Sequence, residues 1–339
     1  MGTVIRCENI DLESLPKNQI SFLRIVTIAN GVGDLISIPA IVIKGKYEGK
    51  TIGITAAIHG NELNGVSVIH RIIKHIKPSQ LHGTIIGVPV LNIPGFLLGQ
   101  REFNDGRDLN RVMPGKKRGK PAEQYAYQIR EKLLKKFNYL IDLHTASFGR
   151  INTFYVRADL TSRLQRAMSL LMNPQIIVHN NSNDGTFRNT ASALNIPAIT
   201  VEVGNPHIFQ ERLIESSTNG VMQILSYLEF LKDLEITENA SPVICSRSYW
   251  MHTKKGGLLE VAPKLADHVE KDQLIAVQSD LFGKTIHKYK SLEGGIIVGK
   301  SINPVAQAGD RILHLGIIED VPEESSPNME KSMESNPGN

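Results

Sequence analysis

Five apolar runs rich in β-branched residues, TIGITAAI (51–58), TIIGVPVLN (84–92), YLIDLHT (139–145), QIIVH (175–179) and AITVEV (198–203), alternate with segments of helical spacing at 64–77, 121–137, 159–172 and 186–195. That alternation predicts an α/β domain in which helices cover the faces of a mixed sheet. Pro197 closes the last of these helices, and a long amphipathic helix over about 208–234 ends the domain. Upstream, SFLRIVTIA and LISIPAIVIKG read as strands joined at Asn30-Gly31, an entry hairpin.

After Pro242 the pattern changes to short strand-like pieces broken by Gly and charged turns: GGLLEVAP, QLIAVQS, GKTIHKY, GGIIVGKS and DRILHLG. A chain of 339 residues has room for two domains. We therefore expect a catalytic domain over 1–237, including the N-terminal strands, and an all-β barrel-like domain over 238–320. The polar, Pro/Ser-rich stretch 321–339 is expected to be a disordered tail.

Composition excludes several classes of function. With 38 basic against 34 acidic residues the formal charge is only +4, and the basic run Lys116, Lys117, Arg118, Lys120 has no interleaved aromatic residue. It reads as a solvated loop, so no nucleic-acid partner is expected. Cys7 and Cys245 are the only cysteines and lack C-x-x-C spacing, which argues against a disulfide framework or a thiolate zinc site. No run approaches the roughly 18 apolar residues of a membrane span, the N-terminus lacks an apolar signal region, and Met1-Gly2 lacks the sixth-position Ser or Thr of a myristoylation signal. Cytoplasmic residence without a membrane partner is the expectation.

The chemistry sits at strand ends. His59-Gly60-Asn61-Glu62 follows the first run and places an imidazole and a carboxylate three residues apart, where they can converge on one cation. His144 ends the third run and can supply a further ligand, because parallel strands gather ligands outside their carboxyl ends. Two His and one Glu are the ligand set of several hydrolytic zinc sites in which a water keeps the fourth position. Glu202, at the end of the fifth run, can take the proton of that water. Asp108-Leu109-Asn110-Arg111, with Arg101 and Arg107 upstream, adds amide donors and guanidinium forks suited to a carboxylate.

HGNE (59–62), DLNR (108–111), DLHT (142–145) and VEVG (201–204) occur in the order found in the succinylglutamate desuccinylase and aspartoacylase group, which is related to the zinc carboxypeptidases. The chain resembles that family over roughly residues 50–235. The resemblance implies a zinc carboxypeptidase-like fold and one zinc per chain, with His59, Glu62 and His144 as ligands and Glu202 as general base. It also implies Asn110 and Arg111 as a clamp for the substrate's carboxylate. The family's carbonyl-polarising arginine corresponds to Arg101, with Arg107 as the competitor. The reaction implied is hydrolysis of the acyl-amide bond of a small N-acyl amino acid bearing a free carboxylate.

Aspartoacylase-like members carry an arginine for an acidic side chain in the helix before the base. Here that region holds Ala191 and Ser192, with Arg188 a turn earlier, either as a substrate-binding substitute or as a structural residue. The 243–317 segment resembles the hybrid domain of biotinyl and lipoyl carriers. The expected hairpin tip, Ser279-Asp280-Leu281-Phe282-Gly283, has no lysine, so a structural role beside the cleft is expected. The rival readings are a metallocarboxypeptidase acting on peptides and, more distantly, a non-catalytic metal-containing binding protein. The oligomeric state has no signature in the sequence.

Overall fold

Residues 3–181, 185–232 and 241–321 are described by the structure, a computed structural model. The expected boundary at 237/238 and the tail beyond 321 lie outside the described residues. The chain begins with β1 (Val4–Cys7), β2 (Gln19–Ala29), β3 (Leu35–Lys44), β4 (Tyr47–Ala56), α1 (Asn64–His75), β5 (His82–Val88), α2 (Ile93–Leu98), α3 (Pro121–Lys132) and β6 (Tyr139–His144). It continues through β7 (Arg150–Asn152), β8 (Phe154–Ala158), α4 (Arg163–Leu171), β9 (Ile176–His179), α5 (Phe187–Ala193), β10 (Ala198–Val203) and α6 (Glu211–Tyr227).

The expected α/β core forms: β5, β4, β6 and β10 lie side by side and parallel, and β3 and β8 flank them antiparallel. Side chains alternate across this sheet with period two. Ile52, Ile54, Ile141, Leu143, Ile199 and Val201 face α1, α4 and α6 in one apolar layer. Leu140 and Ala198 face α3 and α5 in the other. Asp142, His144, Thr200 and Glu202 share the parity of Leu140 and Ala198, so they emerge on the α3/α5 side at the carboxyl ends of their strands.

Three expectations change in detail. The entry hairpin of β2 and β3 forms, but its turn spans Asn30–Asp34 and the left-handed residue is Gly33, not Gly31. The Asn30 side chain accepts from the N–H groups of Val32 and Asp34, which widens the turn. The long helix is shorter than 208–234: it starts at Glu211 and gives way at Leu228 and Glu229, the latter in a left-handed conformation (φ 62°). The segment 150–158, unassigned from sequence, forms β7 and β8.

The C-terminal part comprises β11 (Val243–His252), β12 (Gly257–Val261), β13 (His268–Val269), β14 (Leu274–Ser279), β15 (Thr285–Lys290), β16 (Gly295–Ser301), β17 (Val305–Ala306) and β18 (Arg311–Ile318). Strands β12, β14, β15 and β17 form a separate antiparallel sheet. It packs on β11, β16 and β18 through Leu259, Ile275, Tyr289, Ile297 and Leu315.

The β11, β16, β18 and β13 layer continues the sheet of the α/β core. β11 pairs in parallel with β9, and β16 pairs with β7, which runs into β8 through Thr153. The strands β8, β9, β11, β18 and β16 thus return to the strand from which they set out. The expected hairpin tip at 279–283 forms between β14 and β15, with Leu281 and Phe282 exposed. No helix among the described residues is long and apolar enough to cross a membrane.

Candidate active site

His59 leaves the end of β4 through Ala57, whose left-handed backbone (φ 50°) turns the chain sharply. Gly60 then passes so close to α2 that a Cβ there would lie 2.0 Å from the carbonyl carbon of Gly95, so the HGNE turn has no room for a side chain at its second position. The turn closes with the Glu62 N–H donating to the His59 carbonyl (3.1 Å), two residues before α1 begins. Ligand atoms of His59, Glu62 and His144, all buried, lie within 4.8 Å of one another. These three residues can hold a metal ion.

The donor set fits a divalent cation. His59 Nδ1 lies 2.9 Å from Glu62 Oε1, yet it is buried without a hydrogen bond. His144 Nδ1 lies 3.0 Å from Glu62 Oε2. Each imidazole turns its other nitrogen to an aspartate: His144 Nε2 is 2.8 Å from Asp142 Oδ2, and His59 Nε2 is 3.1 Å from Asp108 Oδ1. Carboxylates behind ligating histidines fix tautomer and ring orientation. Asp142 is itself held by Thr55 Oγ1, which donates to Oδ1 at 2.7 Å from the register-matched position on β4.

Charge is tightly coupled here. Burial opposes ionisation of Glu62, but His59 and His144 hold its carboxyl well below the usual range. Burial likewise opposes protonation of His144, and Asp142 and Glu62 overcome it, raising its pKa well above that of a free imidazole. A cation held by these residues would take the place of that proton, since a ligating histidine must be neutral.

Glu202 is the direct register neighbour of His144 across the parallel pair β10 and β6, as Thr200 is of Asp142. Burial raises its carboxyl above the ordinary glutamate value, with Glu62 adding to the shift and His144 opposing it. Asn152 Nδ2 donates to its Oε2 (3.2 Å).

Arg101 and Arg107 part company in the structure. Arg101 Nη1 reaches Glu62 Oε1 at 3.1 Å and the Ser147 hydroxyl, while Nε and Nη2 donate to Asp108 Oδ2 at 3.0 and 2.8 Å. Arg107 instead pairs with Glu123 at 3.6 Å and does not line the cavity. Asn110 accepts the Phe187 N–H at 2.7 Å through Oδ1, which ties the 108–111 loop to the start of α5. Arg188 is buried and donates to Asn180 through the backbone carbonyl (3.0 Å) and Oδ1 (2.5 Å). It has structural partners, therefore, and its side chain also lines the cavity.

All eight candidate residues line one cavity of about 170 Å³. It also takes in residues the sequence reading passed over, among them Arg150, Asn152, Tyr155 and Arg157 from β7 and β8, and Trp250 and Arg311 from the C-terminal part. Asp108 and Asp142 stood inside the quoted motifs, and the i, i+2 spacing of Asp142 and His144 on one strand face was a usable signal for a supporting carboxylate. Arg150, Trp250 and Arg311 belong to no motif.

The family model for the succinylglutamate desuccinylase/aspartoacylase catalytic domain matches residues 48–228. The chain is 22% identical over 290 residues to an N-alpha-acetyl-L-2,4-diaminobutyric acid deacetylase of Halomonas elongata, an alignment covering 82% of this chain and 84% of the relative. Its fold is similar to that of a product-bound ectoine utilization protein EutE (DoeB) from Ruegeria pomeroyi (TM-score 0.80, 20% identity, 90% and 98% of the two chains). It is also similar to that of a succinylglutamate desuccinylase/aspartoacylase from Rhodobacter sphaeroides (TM-score 0.82, 18% identity, 94% and 99%).

Proposed function

Because the chain belongs to the succinylglutamate desuccinylase/aspartoacylase family, we propose that it is a zinc-dependent deacylase that hydrolyses the acyl-amide bond of a small N-acyl amino acid. One zinc per chain is held by His59, Glu62 and His144, and the protein works in the cytoplasm. The observation that carries this reading is Glu202: a carboxyl with a raised pKa, in register with a ligand histidine and facing the same cavity as the three donors.

When bound, zinc supplies a Lewis acid that acidifies water and polarises a carbonyl. Glu202 takes the proton of the attacking water and returns it to the departing amine nitrogen. Arg101, braced by Asp108, points its guanidinium at the ligand cluster and stabilises charge developing on the carbonyl oxygen. Asn110 and Arg111 hold the substrate's carboxylate, which orients the amide over the ligand set. Asp142 and Asp108 keep the two imidazoles turned so that each Nδ1 faces the centre.

A cavity of this size supports a small substrate over a peptide. Zinc-loaded protein is expected to release free amine from members of a panel of N-acetyl, N-succinyl and N-formyl amino acids, and to leave peptide C-termini largely intact. Efficient trimming of peptides with no release from the panel refutes the deacylase reading in favour of a carboxypeptidase.

A further inference from the structure

Beside the cavity that holds His59, Glu62 and His144 lies a groove of about 440 Å³, lined mainly by the apolar residues Phe148, Ile151, Pro206, Ile208, Ile302 and Pro304. Phe148, Ile208 and Ile302 are 74%, 50% and 56% exposed. Large apolar side chains gathered around a hollow in the open mark a place where an apolar group binds. The neighbouring cavity has the opposite character, walled mostly by charged and polar side chains.

The groove is made from continuations of the elements that build the cavity. β6 ends at His144 and the chain runs through Thr145, Ala146 and Ser147, all in the cavity, to Phe148 in the groove. β10 carries Glu202, and the chain beyond it supplies Pro206 and Ile208. The third wall, 302–304, is joined to the first where the β7 and β16 ladder runs out: the Ile302 N–H donates to the Gly149 carbonyl at 2.9 Å. Arg150 lines both hollows.

The groove is also tied to the ligand cluster. Ser147 Oγ donates to Glu62 Oε1 at 2.9 Å, and the His207 N–H donates to the Asn61 carbonyl in the HGNE turn at 3.1 Å. His207 holds a left-handed backbone (φ 60°), a conformation that costs energy in a residue with a Cβ and gathers at functional places. Its ring meets Phe148 edge-on, with centroids 6.1 Å apart.

We propose that this groove binds an apolar acyl chain, so that the favoured substrates are N-acyl amino acids carrying medium-length fatty acyl groups. Water adds across the amide and releases a fatty carboxylate and the free amino acid. The α-carboxylate lies on the amine side of the amide, where Asn110 and Arg111 hold it, so the acyl group is the part that can leave the cavity past Ser147 and Arg150. Continuity of the two hollows fixes the occupant: a chain tethered to an amide already held in the cavity meets the groove at high effective concentration. The proposal rests on the deacylase reading for its reaction, whereas binding of a fatty chain in the groove does not.

Two measurements on the zinc-loaded protein separate these. Kinetics use glutamate, leucine and lysine, each with an Nα-acetyl, butanoyl, hexanoyl or octanoyl group. A fully buried methylene favours binding about fourfold; a groove that captures half of that free energy gives about twofold per methylene, or roughly 60-fold in kcat/KM from acetyl to octanoyl. Ile302→Asp and Ile208→Asp, both at exposed positions, should each cut that ratio at least tenfold. Calorimetry compares octanoate with acetate: octanoate is expected to bind more tightly by a similar factor, and both variants to remove the difference. Thermal melting checks that the variants fold.

Hydrolysis with no gain from chain length overturns the groove and leaves the deacylase reading standing. Hydrolysis of no member of the series, with octanoate still held through Ile208 and Ile302, does the reverse. A preference for octanoyl that neither variant disturbs places the chain elsewhere and overturns the proposal. A dimer in sedimentation that Ile302→Asp splits, with octanoate bound no better than acetate, assigns this face to a second copy and overturns it as well.

Discussion

Asp142→Asn isolates what the carboxylate behind a ligating histidine contributes. Asp142 is buried, accepts from Thr55 Oγ1 at 2.7 Å through one oxygen and faces His144 Nε2 at 2.8 Å through the other. An asparagine fits the same volume. It can still accept the imidazole proton and can donate its amide to the Thr55 hydroxyl, so the ring keeps its tautomer and the site loses only one negative charge. Changes of this kind typically cost ~10–100-fold in metal affinity, or about 1.4–2.7 kcal/mol.

Asp142→Ala differs in kind. It strands two buried donors, each worth roughly 1–3 kcal/mol, and should lower the melting temperature of metal-free protein as well as weaken zinc. The assay is competition for zinc against a chromophoric chelator, paired with melting of the metal-free protein. Unchanged affinity in Asp142→Asn would refute the reasoning, and so would a loss as large as that of His144→Ala, which would make Asp142 a ligand in its own right.

Glu202→Gln is expected to lower kcat by about 10²–10⁴-fold while zinc content stays near one per chain; loss of the metal with the activity would instead mark Glu202 as a ligand. Since the base form is required and burial raises the Glu202 carboxyl, kcat/KM should fall on the acid side at a pH above the ordinary glutamate value of about 4.3. A limb at or below that value contradicts the assignment. Arg111 is exposed at the cavity rim, where solvent screens its charge, so Arg111→Ala should cost about fivefold, ~1 kcal/mol, in binding of substrates with a free carboxylate. Esterified substrates should be affected less, and an equal effect on both would assign Arg111 to the fold.

Much of this site was readable in the chain because period-two alternation does most of the positioning. Once YLIDLHT and AITVEV are parallel neighbours, Asp142, His144, Thr200 and Glu202 must emerge on one face, and the HGNE turn lies at the end of the next strand. Loop trajectories were less legible. Arg101 and Arg107 are both near DLNR, and the choice between them depends on Asp108, whose carboxylate accepts from Arg101 and His59 together. The segment RINTFYVRADL hid two strands because its pairing partners are far away, Ser301 with Arg150 and Thr200 with Arg157. Trp250 and Arg311 carried no motif because their meeting depends on a bulge between strands about sixty residues apart, a tertiary event with no local pattern.

The closed run of strands from β8 through β16 to β7 changes what the C-terminal part is to the enzyme. β9 has β11 as one neighbour, so a chain ending near residue 240 would uncover one side of a strand buried at Ile176, Ile177 and Val178. β7 would lose β16, and with it the anchor of Asn152, which donates to Glu202, the proposed general base. Melting should accordingly pass through a single transition, and amides in β9 and β18 should exchange with similar protection. The α/β core has no self-sufficient fragment in this architecture: the C-terminal strands act as the last staves of a cask, and removing them loosens Glu202 from the far end of the molecule.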